Sequence, residues 1–442
     1  MLSPREAEAQ LQALGDPLRL LDHHLERRPA ALRQRPTRPL TLGGGRPYVR
    51  ATSGTRVAIV AQLVRASVCG TEGRGFKSPR SPHLRPAFSR DQEMHSPWDY
   101  PDFDDHEIVH FVTDKASGLR AVICVHSTHL GPGAGGVRVW HYAQSGDAVR
   151  DALRLSRGMS FKNAMAGLPL GGGKAVLLAD AARTKTREML AAYGRAVEGL
   201  CGAYVTAEDV GVTVADLVEV SKQTRYVAGL PVAEGAVGGD PGPHTSYGVF
   251  LGIKAAVKRA LGKDSLSGLH LAVQGAGSVA GGVVRRAAAE GARISLTDLD
   301  RVRAEKLANE VGATVVDPSG IMTLEADVLS PNALGAILTE ESIAALRVPV
   351  VAGGANNQLA TPADGQRIHQ RGILYAPDYV INAGGIINVS TEYLKDGDQA
   401  EVRRRVEQIP VRLEQIWSES QETGRNPAEV ADAMAMRLIG RG

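Results

Sequence analysis

Three charged side chains stand in surroundings that could make them reactive. Lys174 follows Gly171, Gly172 and Gly173 and opens the apolar run KAVLLA, Lys162 lies twelve residues earlier in FKNA, and Asp209 lies in AEDVG. Glycines ahead of a lysine let backbone or ligand come very close to the amine and leave it poorly solvated. Two ammonium groups in one cleft cannot both stay comfortably charged, so burial and mutual repulsion lower the pKa of one and create a general base. The same residues also fit a plainer description, in which both lysines snorkel at the surface and Asp209 caps a helix. A phosphate-binding loop does not fit, because that motif needs Gly where Leu168 stands and Ser or Thr where Ala175 stands.

A second motif, Gly275-Ala276-Gly277-Ser278-Val279-Ala280, has the form GxGxxA between an apolar strand-like run and a helix-like one. There Gly275 allows the tight turn, Gly277 lets a pyrophosphate approach the backbone, and Ala280 lets the helix pack on the strand, while Ser278 and Val279 open the helix whose amino end faces the anion. Asp298 follows Gly275 by 23 residues, at the end of the next strand-like run. An acid there accepts hydrogen bonds from both ribose hydroxyls and repels a 2′-phosphate, which favours NAD over NADP; the nearby Arg301 and Arg303 soften that preference. The plainer alternative is a tight turn with a helix-capping aspartate.

The elements that must hold these residues alternate. Strands are expected at 119–125, 174–179 and 203–206, with helices over 146–158, 184–200 and 213–223. Residues 229–245 are rich in Gly and Pro and read as a hinge that cannot continue a helix. Beyond them come a helix over 246–261 and a βαβ unit (269–274, 279–290, 293–298), with further short strands at 313–316, 326–330, 348–352 and 373–375. The expectation is an α/β protein with a Rossmann-type doubly wound domain over 236–425, an α/β substrate-binding and catalytic domain over 94–235, and a cleft between them. A helical tail over 399–442 is expected, its last part (426–442) returning to the first domain.

Charge divides the chain differently. Residues 1–93 carry 16 Lys and Arg against 8 Asp and Glu, and the remainder 35 against 40, so all the net basicity lies in the first fifth. A basic arm can tether nucleic acid, and a sequence with so little apolar periodicity can be a disordered extension. A third reading is preferred: reverse translation of Ala61–Ala66 and Gly75–Pro79 permits the D arm and T arm of a transfer-RNA gene, which makes 1–93 upstream DNA read through, with the product starting near Met94. An N-terminal peptide map of the native protein tests this. From residue 94 onward the negative balance and the 4% aromatic content of the chain offer no track for nucleic acid. No run of about 18 apolar residues predicts a membrane helix, no secretory signal is visible, and the expected address is the cytoplasm. Cys69, Cys124 and Cys201 have no paired spacing, so neither a disulfide framework nor a zinc knuckle is expected.

GPGAGGVRVW (131–140), RGMSFKNAMAGLPLGGGKAV (157–176), TAEDVG (206–211), QGAGSVA (274–280), AGGANNQL (352–359) and APDYVINAGGIINV (376–389) together resemble the glutamate, leucine, phenylalanine and valine dehydrogenase family, most of all its leucine-specific members. The resemblance runs in order over about 94–430. It implies that Lys162 binds the substrate carboxylate with backbone at Gly135 and Gly136, that Lys174 is the catalytic base, and that Asp209 exchanges a proton with the amino group. It further implies that Thr245, Asn356 and Asn382 meet the nicotinamide part of NAD, that no metal is needed, and that the chain forms a homo-oligomer.

In this family the substrate side chain would lie among Ala134, Met159, Ala207, Ile386 and Val389, all apolar. An unpaired glutamate carboxylate in such a pocket would cost several kcal/mol, which disfavours glutamate. Leucine-specific members carry Leu where this chain has Ala134, so breadth across Leu, Ile, Val and Phe is expected. Reversible oxidative deamination of such an amino acid to its 2-oxo acid and ammonia is the leading reading. Phenylalanine-type specificity and a catalytically silent NAD-binding protein are the alternatives.

Overall fold

The computed structural model describes residues 96–180, 184–232 and 236–442; the reading of residues 1–93 lies outside them. A first sheet is made from β1 (Ile108–Asp114), β2 (Leu119–Ser127), β3 (Gly133–Trp140), β4 (Gly171–Leu178) and β5 (Tyr204–Glu208), in the order β1-β2-β4-β3-β5. β2 runs antiparallel to both β1 and β4, whereas β4, β3 and β5 are parallel. Both faces are covered. Ala121, Ile123 and Val125 of β2 pack toward α2 (Arg187–Gly199) and α3 (Val214–Ser221), and the intervening Val122 and Cys124 pack toward α1 (Ser145–Met165). That period-2 division is what a central strand between two helical layers requires.

The expected strands at 119–125, 174–179 and 203–206 all exist, but β1 and β3 carry no strong alternation and were not anticipated. β4 also takes in Gly171–Gly173, because the absence of side chains lets α1 press on it: a Cβ on Gly172 would stand 2.1 Å from the Ser160 nitrogen. The helix expected over 146–158 continues through Gly158 to Met165. Gly158 has nothing within 4 Å of where a side chain would begin, while Phe161, Ala164 and Met165 are buried, so packing of the last turns outweighs the weak helix preference of one glycine.

The second sheet is fully parallel. Its strands are β6 (His270–Gln274), β7 (Arg293–Thr297), β8 (Thr314–Val315), β9 (Val328–Pro331), β10 (Val350–Val351) and β11 (Leu374–Tyr375), in the order β11-β10-β9-β6-β7-β8. The order reverses between β6 and β9, the place in a doubly wound sheet where a crevice opens at the carboxyl ends of the strands. One face carries α4 (Gly242–Leu261) and α5 (Ser278–Ala289) against Leu271 and Val273; the other carries α7 (Glu340–Ala345) and α8 (Pro362–Gln370), and between β7 and β8 runs α6 (Arg301–Val311).

α4 begins at Gly242, four residues before the expected start, so the connection does not extend to 245. Pro243 sits in the first turn, where a missing N–H removes no helical bond. After β11 come α9 (Asp378–Ile381), α10 (Gly384–Leu394), α11 (Gln399–Val406), α12 (Ile409–Thr423) and α13 (Pro427–Leu438). α13 packs on α1, and Arg441 donates to the carbonyls of Asp104, Asp105 and His126, tying the end of the chain to the first sheet. Among the described residues no helix is long and apolar enough to cross a membrane.

Candidate active site

A cleft of about 490 Å³ opens between the two sheets, and its walls include Lys162, Lys174 and Asp209. Lys174 projects from the middle of β4 and is 5% exposed. Its Nζ lies 2.8 Å from Oδ2 of Asp209, the residue directly after β5. The end of β5 can approach this closely because Gly136 of β3 has no side chain: a Cβ there would be 2.4 Å from the Glu208 carbonyl oxygen and 2.8 Å from the Asp209 Cβ. Burial lowers the Lys174 pKa; Asp209 opposes it and the Arg138 guanidinium adds to it. For Asp209, burial pushes upward, but Lys174 and Arg138 outweigh it and hold the carboxyl below its usual range.

Arg138 escaped the sequence reading. It lies on β3, lines the cleft, and donates from Nε to the same Oδ2 of Asp209 at 3.0 Å. Its only signal in the sequence was its place within GPGAGGVRVW. The two lysines line one cleft and Lys174 contributes to lowering the Lys162 pKa, while Arg138 is a further cation beside Lys174. Lys162 feels Lys174 only weakly: its pKa falls to about 8 mainly through burial, which Asp378 partly offsets.

Asp378 was also not foreseen. It starts α9, lines the cleft, and accepts from the backbone nitrogens of Gln358 (2.9 Å) and Tyr379 (2.7 Å). Burial raises its pKa against those donors and against Lys162. A first-turn aspartate after proline looks in sequence like a helix cap, which hid its relation to Lys162.

Beside the cleft is a narrow recess lined by Ala134, Gly135, Leu170, Val205, Ala207, Ala228, Ile386, Val389, Ser390 and Tyr393. Four of the five residues expected around a substrate side chain meet there. The fifth, Met159, lines the main cleft, and so do Ala207, Ile386 and Val389; of the five only Ala134 is confined to the recess, which encloses about 10 Å³. Gly136 reaches the cleft, whereas Gly135 faces the recess; its carbonyl accepts from the buried Tyr204 hydroxyl at 2.7 Å.

On the opposite wall the residues expected to hold a cofactor fall into two groups. Thr245, Val279, Asn356 and Asn382 line the cleft together with Lys174. Gly275, Gly277, Ser278 and Ala280, at the end of β6 and the start of α5, and Asp298, directly after β7, are not among the residues lining it. Gly275 has a φ of 102°, which an L side chain would strain, and Gly277 is the N-cap with open space over it. The Asp298 carboxylate braces this turn by accepting from the backbone nitrogens of Ala276 (2.7 Å) and Asp300 (2.8 Å), while the cap of α6 is Asp300. Asn382 donates to Asn356 Oδ1 (2.8 Å) and the Gly354 carbonyl (3.2 Å), and its own buried Oδ1 has no partner among the described residues. Among the described residues no cluster of His, Cys, Asp or Glu is arranged to hold a metal ion.

A profile described as Glu/Leu/Phe/Val dehydrogenase, dimerisation domain, matches residues 106–226, and one described as Glutamate/Leucine/Phenylalanine/Valine dehydrogenase matches residues 294–440. The chain belongs to this family. Among its relatives, a leucine dehydrogenase of Thermoactinomyces intermedius is 46% identical over 342 residues, covering 77% of this chain and 93% of the relative. The crystal structure of L-tryptophan dehydrogenase from Nostoc punctiforme superposes with a TM-score of 0.68 at 40% identity, over 76% of this chain and 96% of the other. Hetero-hexameric glutamate dehydrogenase from Thermus thermophilus, at 22% identity and a TM-score of 0.60 over 76% of this chain and 88% of its own, shares the fold. This family member is an oxidoreductase acting on amino acids, with a Rossmann sheet and a second α/β unit facing one cleft.

Proposed function

We propose that the protein catalyses the NAD-dependent, reversible oxidative deamination of an apolar L-amino acid, leucine and other branched-chain residues foremost, to the 2-oxo acid and ammonia. The observation that carries this reading is the buried Lys174 amine held 2.8 Å from Asp209 in a cleft whose far wall includes Asn356 and Asn382. A nicotinamide dinucleotide suits the residues present. The open space over Gly277 at the amino end of α5 admits a pyrophosphate, and the unpartnered Asn382 Oδ1 is an acceptor for a carboxamide N–H. Bound there, the cofactor would supply a hydride acceptor for the substrate Cα.

The protein's own residues do the rest. Lys162 and the Gly136 backbone bind the substrate carboxylate. Asp209 takes a proton from the substrate ammonium, so that the amine lone pair is free when Cα loses hydride. Lys174 in its neutral form removes a proton from the water that adds to the imine carbon; Asp209 returns its proton to the carbinolamine nitrogen, and as the C–N bond breaks to release ammonia the hydroxyl proton passes to solvent, leaving the 2-oxo acid. Met159, Ala207, Ile386 and Val389 on the cleft wall meet the side chain; these apolar groups offer no cation to a γ-carboxylate, which argues against glutamate.

Residues 94–235 serve as the substrate-binding and catalytic unit, 236–425 as the cofactor unit, and 426–442 as a returning helix. A cytoplasmic homo-oligomer is the assembly this reading favours. The test is a survey of L-amino acids with NAD, following reduced-cofactor absorbance, for the full chain and for Lys174→Ala. Turnover of Leu, Ile or Val that vanishes in the variant while NAD affinity is kept is the expected result. No turnover with any amino acid, or turnover that survives Lys174→Ala, overturns it.

A further inference from the structure

A carboxylate this close to a buried amine creates a problem for the proposed base. Asp209 favours the ammonium form of Lys174 against the burial that lowers its pKa, and an ammonium cannot take a proton from water. Oδ2 of Asp209, however, has a second cation on it, the Nε of Arg138 at 3.0 Å. Arg138 is itself fixed from behind: Nη1 meets Asp151 Oδ2 at 2.9 Å, and that carboxylate also accepts from the Tyr142 hydroxyl (2.6 Å) and from Arg154 (2.9 Å). Lys174, Asp209, Arg138, Asp151 and Arg154 thus form a row of alternating charge drawn from β4, the end of β5, β3 and α1. We propose that Arg138 is a positioning residue that balances the charge of Asp209 and fixes its carboxylate, leaving the Lys174 amine free to act as the base.

The proposal rests on the function put forward above. Arginine suits this role because it cannot lose its charge at working pH and its planar head serves two carboxylates at once. The fields at Asp209 and Lys174 run consistently with it, since Arg138 lowers both pKa values. Other charged or titratable groups face the pair: Lys162 and Asp151 from α1, Tyr204 and Glu208 from β5, Asp240 from the connection through its influence on Glu208, and Asp378 from α9 through Lys162. Arg138 is a cation that acts on both Lys174 and Asp209.

The experiment is the pH dependence of kcat/KM for deamination of the best-used amino acid by the full chain, compared among wild type, Arg138→Gln and Arg138→Lys, with NAD affinity and thermal midpoint as controls on folding. The limb that rises with pH reports loss of the Lys174 proton. In Arg138→Gln it is expected to move to higher pH by about one unit, because the unbalanced carboxylate then holds the ammonium. In Arg138→Lys, which keeps the charge but not the fork, the limb is expected near its wild-type position with kcat reduced. A limb unmoved in Arg138→Gln, with activity lost only in amplitude, overturns the proposal. If Arg138→Gln does not fold, Arg138→Lys decides: a limb displaced by a full unit despite the retained charge overturns it, and an undisplaced limb with lower kcat supports it. Turnover that survives Lys174→Ala is a different failure, that of the underlying base assignment.

Discussion

At position 162 the protein keeps a charge where folding would prefer none. Burial lowers the Lys162 pKa from 10.5 to about 8, so the folded state disfavours the ammonium form. The sign follows from linkage: the penalty is fully present below about pH 8, declines as pH rises, and is gone above the unfolded value near 10.5. Lys162→Met, which keeps the length without the charge, is therefore expected to raise the thermal midpoint at pH 7 by a few degrees, with the gain shrinking toward pH 10. The same variant should raise the substrate KM by at least about tenfold, because the carboxylate loses its cation. A midpoint unchanged at pH 7, or a gain that grows with pH, would contradict this account of Lys162. The stability lost at this residue is the counterpart of the carboxylate-binding role proposed for it.

Among elements, the β6–α5 turn separates fold from function most cleanly. Gly275 is required by its backbone, but Gly277 has an extended φ of −74° and ψ of −170° that any residue can adopt, and, its chain neighbours aside, no atom of the described residues within 4 Å of a Cβ. Nothing in the fold demands glycine there. Gly277→Ala is expected to leave the denaturation midpoint unchanged while weakening NAD binding by roughly tenfold or more, as the methyl group occupies the approach to the helix amino end. Calorimetric titration with NAD checks it, and unchanged affinity would remove Gly277 from the cofactor site. The contrast with Gly136 is instructive: a side chain there would strike the end of β5, so loss of activity at Gly136 would say little about substrate.

For the molecule as a whole, the end of the chain is a structural tie. α13 lies on α1, the helix that carries Lys162, and Arg441 satisfies three carbonyl oxygens on the first sheet's side. Arg441→Ala is expected to cost about 1–3 kcal/mol, since those carbonyls lose a charged donor. Amide exchange should accelerate around 104–106, 126–129 and 436–442 and stay unchanged in β6–β7. Uniform acceleration across both sheets would instead mean that the tie stabilises the molecule globally. An α1 held by the last helix of the chain is an α1 whose lysine is placed by residues almost three hundred positions away.

Much of this was legible without coordinates. The parallel sheet followed from strands and helices alternating after residue 246, and the tight β6–α5 turn from GxGxxA between such a strand and helix, because the positive φ of Gly275 and the buried place of Ala280 are dictated locally. Lys162, Lys174 and Asp209 could be singled out because glycine runs and a post-strand acid are local features. Arg138 and Asp378 could not. An arginine in a strand and an aspartate opening a helix are ordinary in sequence, and what makes them part of the site is a neighbour 71 residues on in one case and the buried amine of Lys162 in the other. The sequence determined which groups were available and the local geometry of each. Only the tertiary structure decided which charges share an oxygen, because electrostatic partnership depends on distance through space and on the exclusion of water, and neither is written in the order of residues.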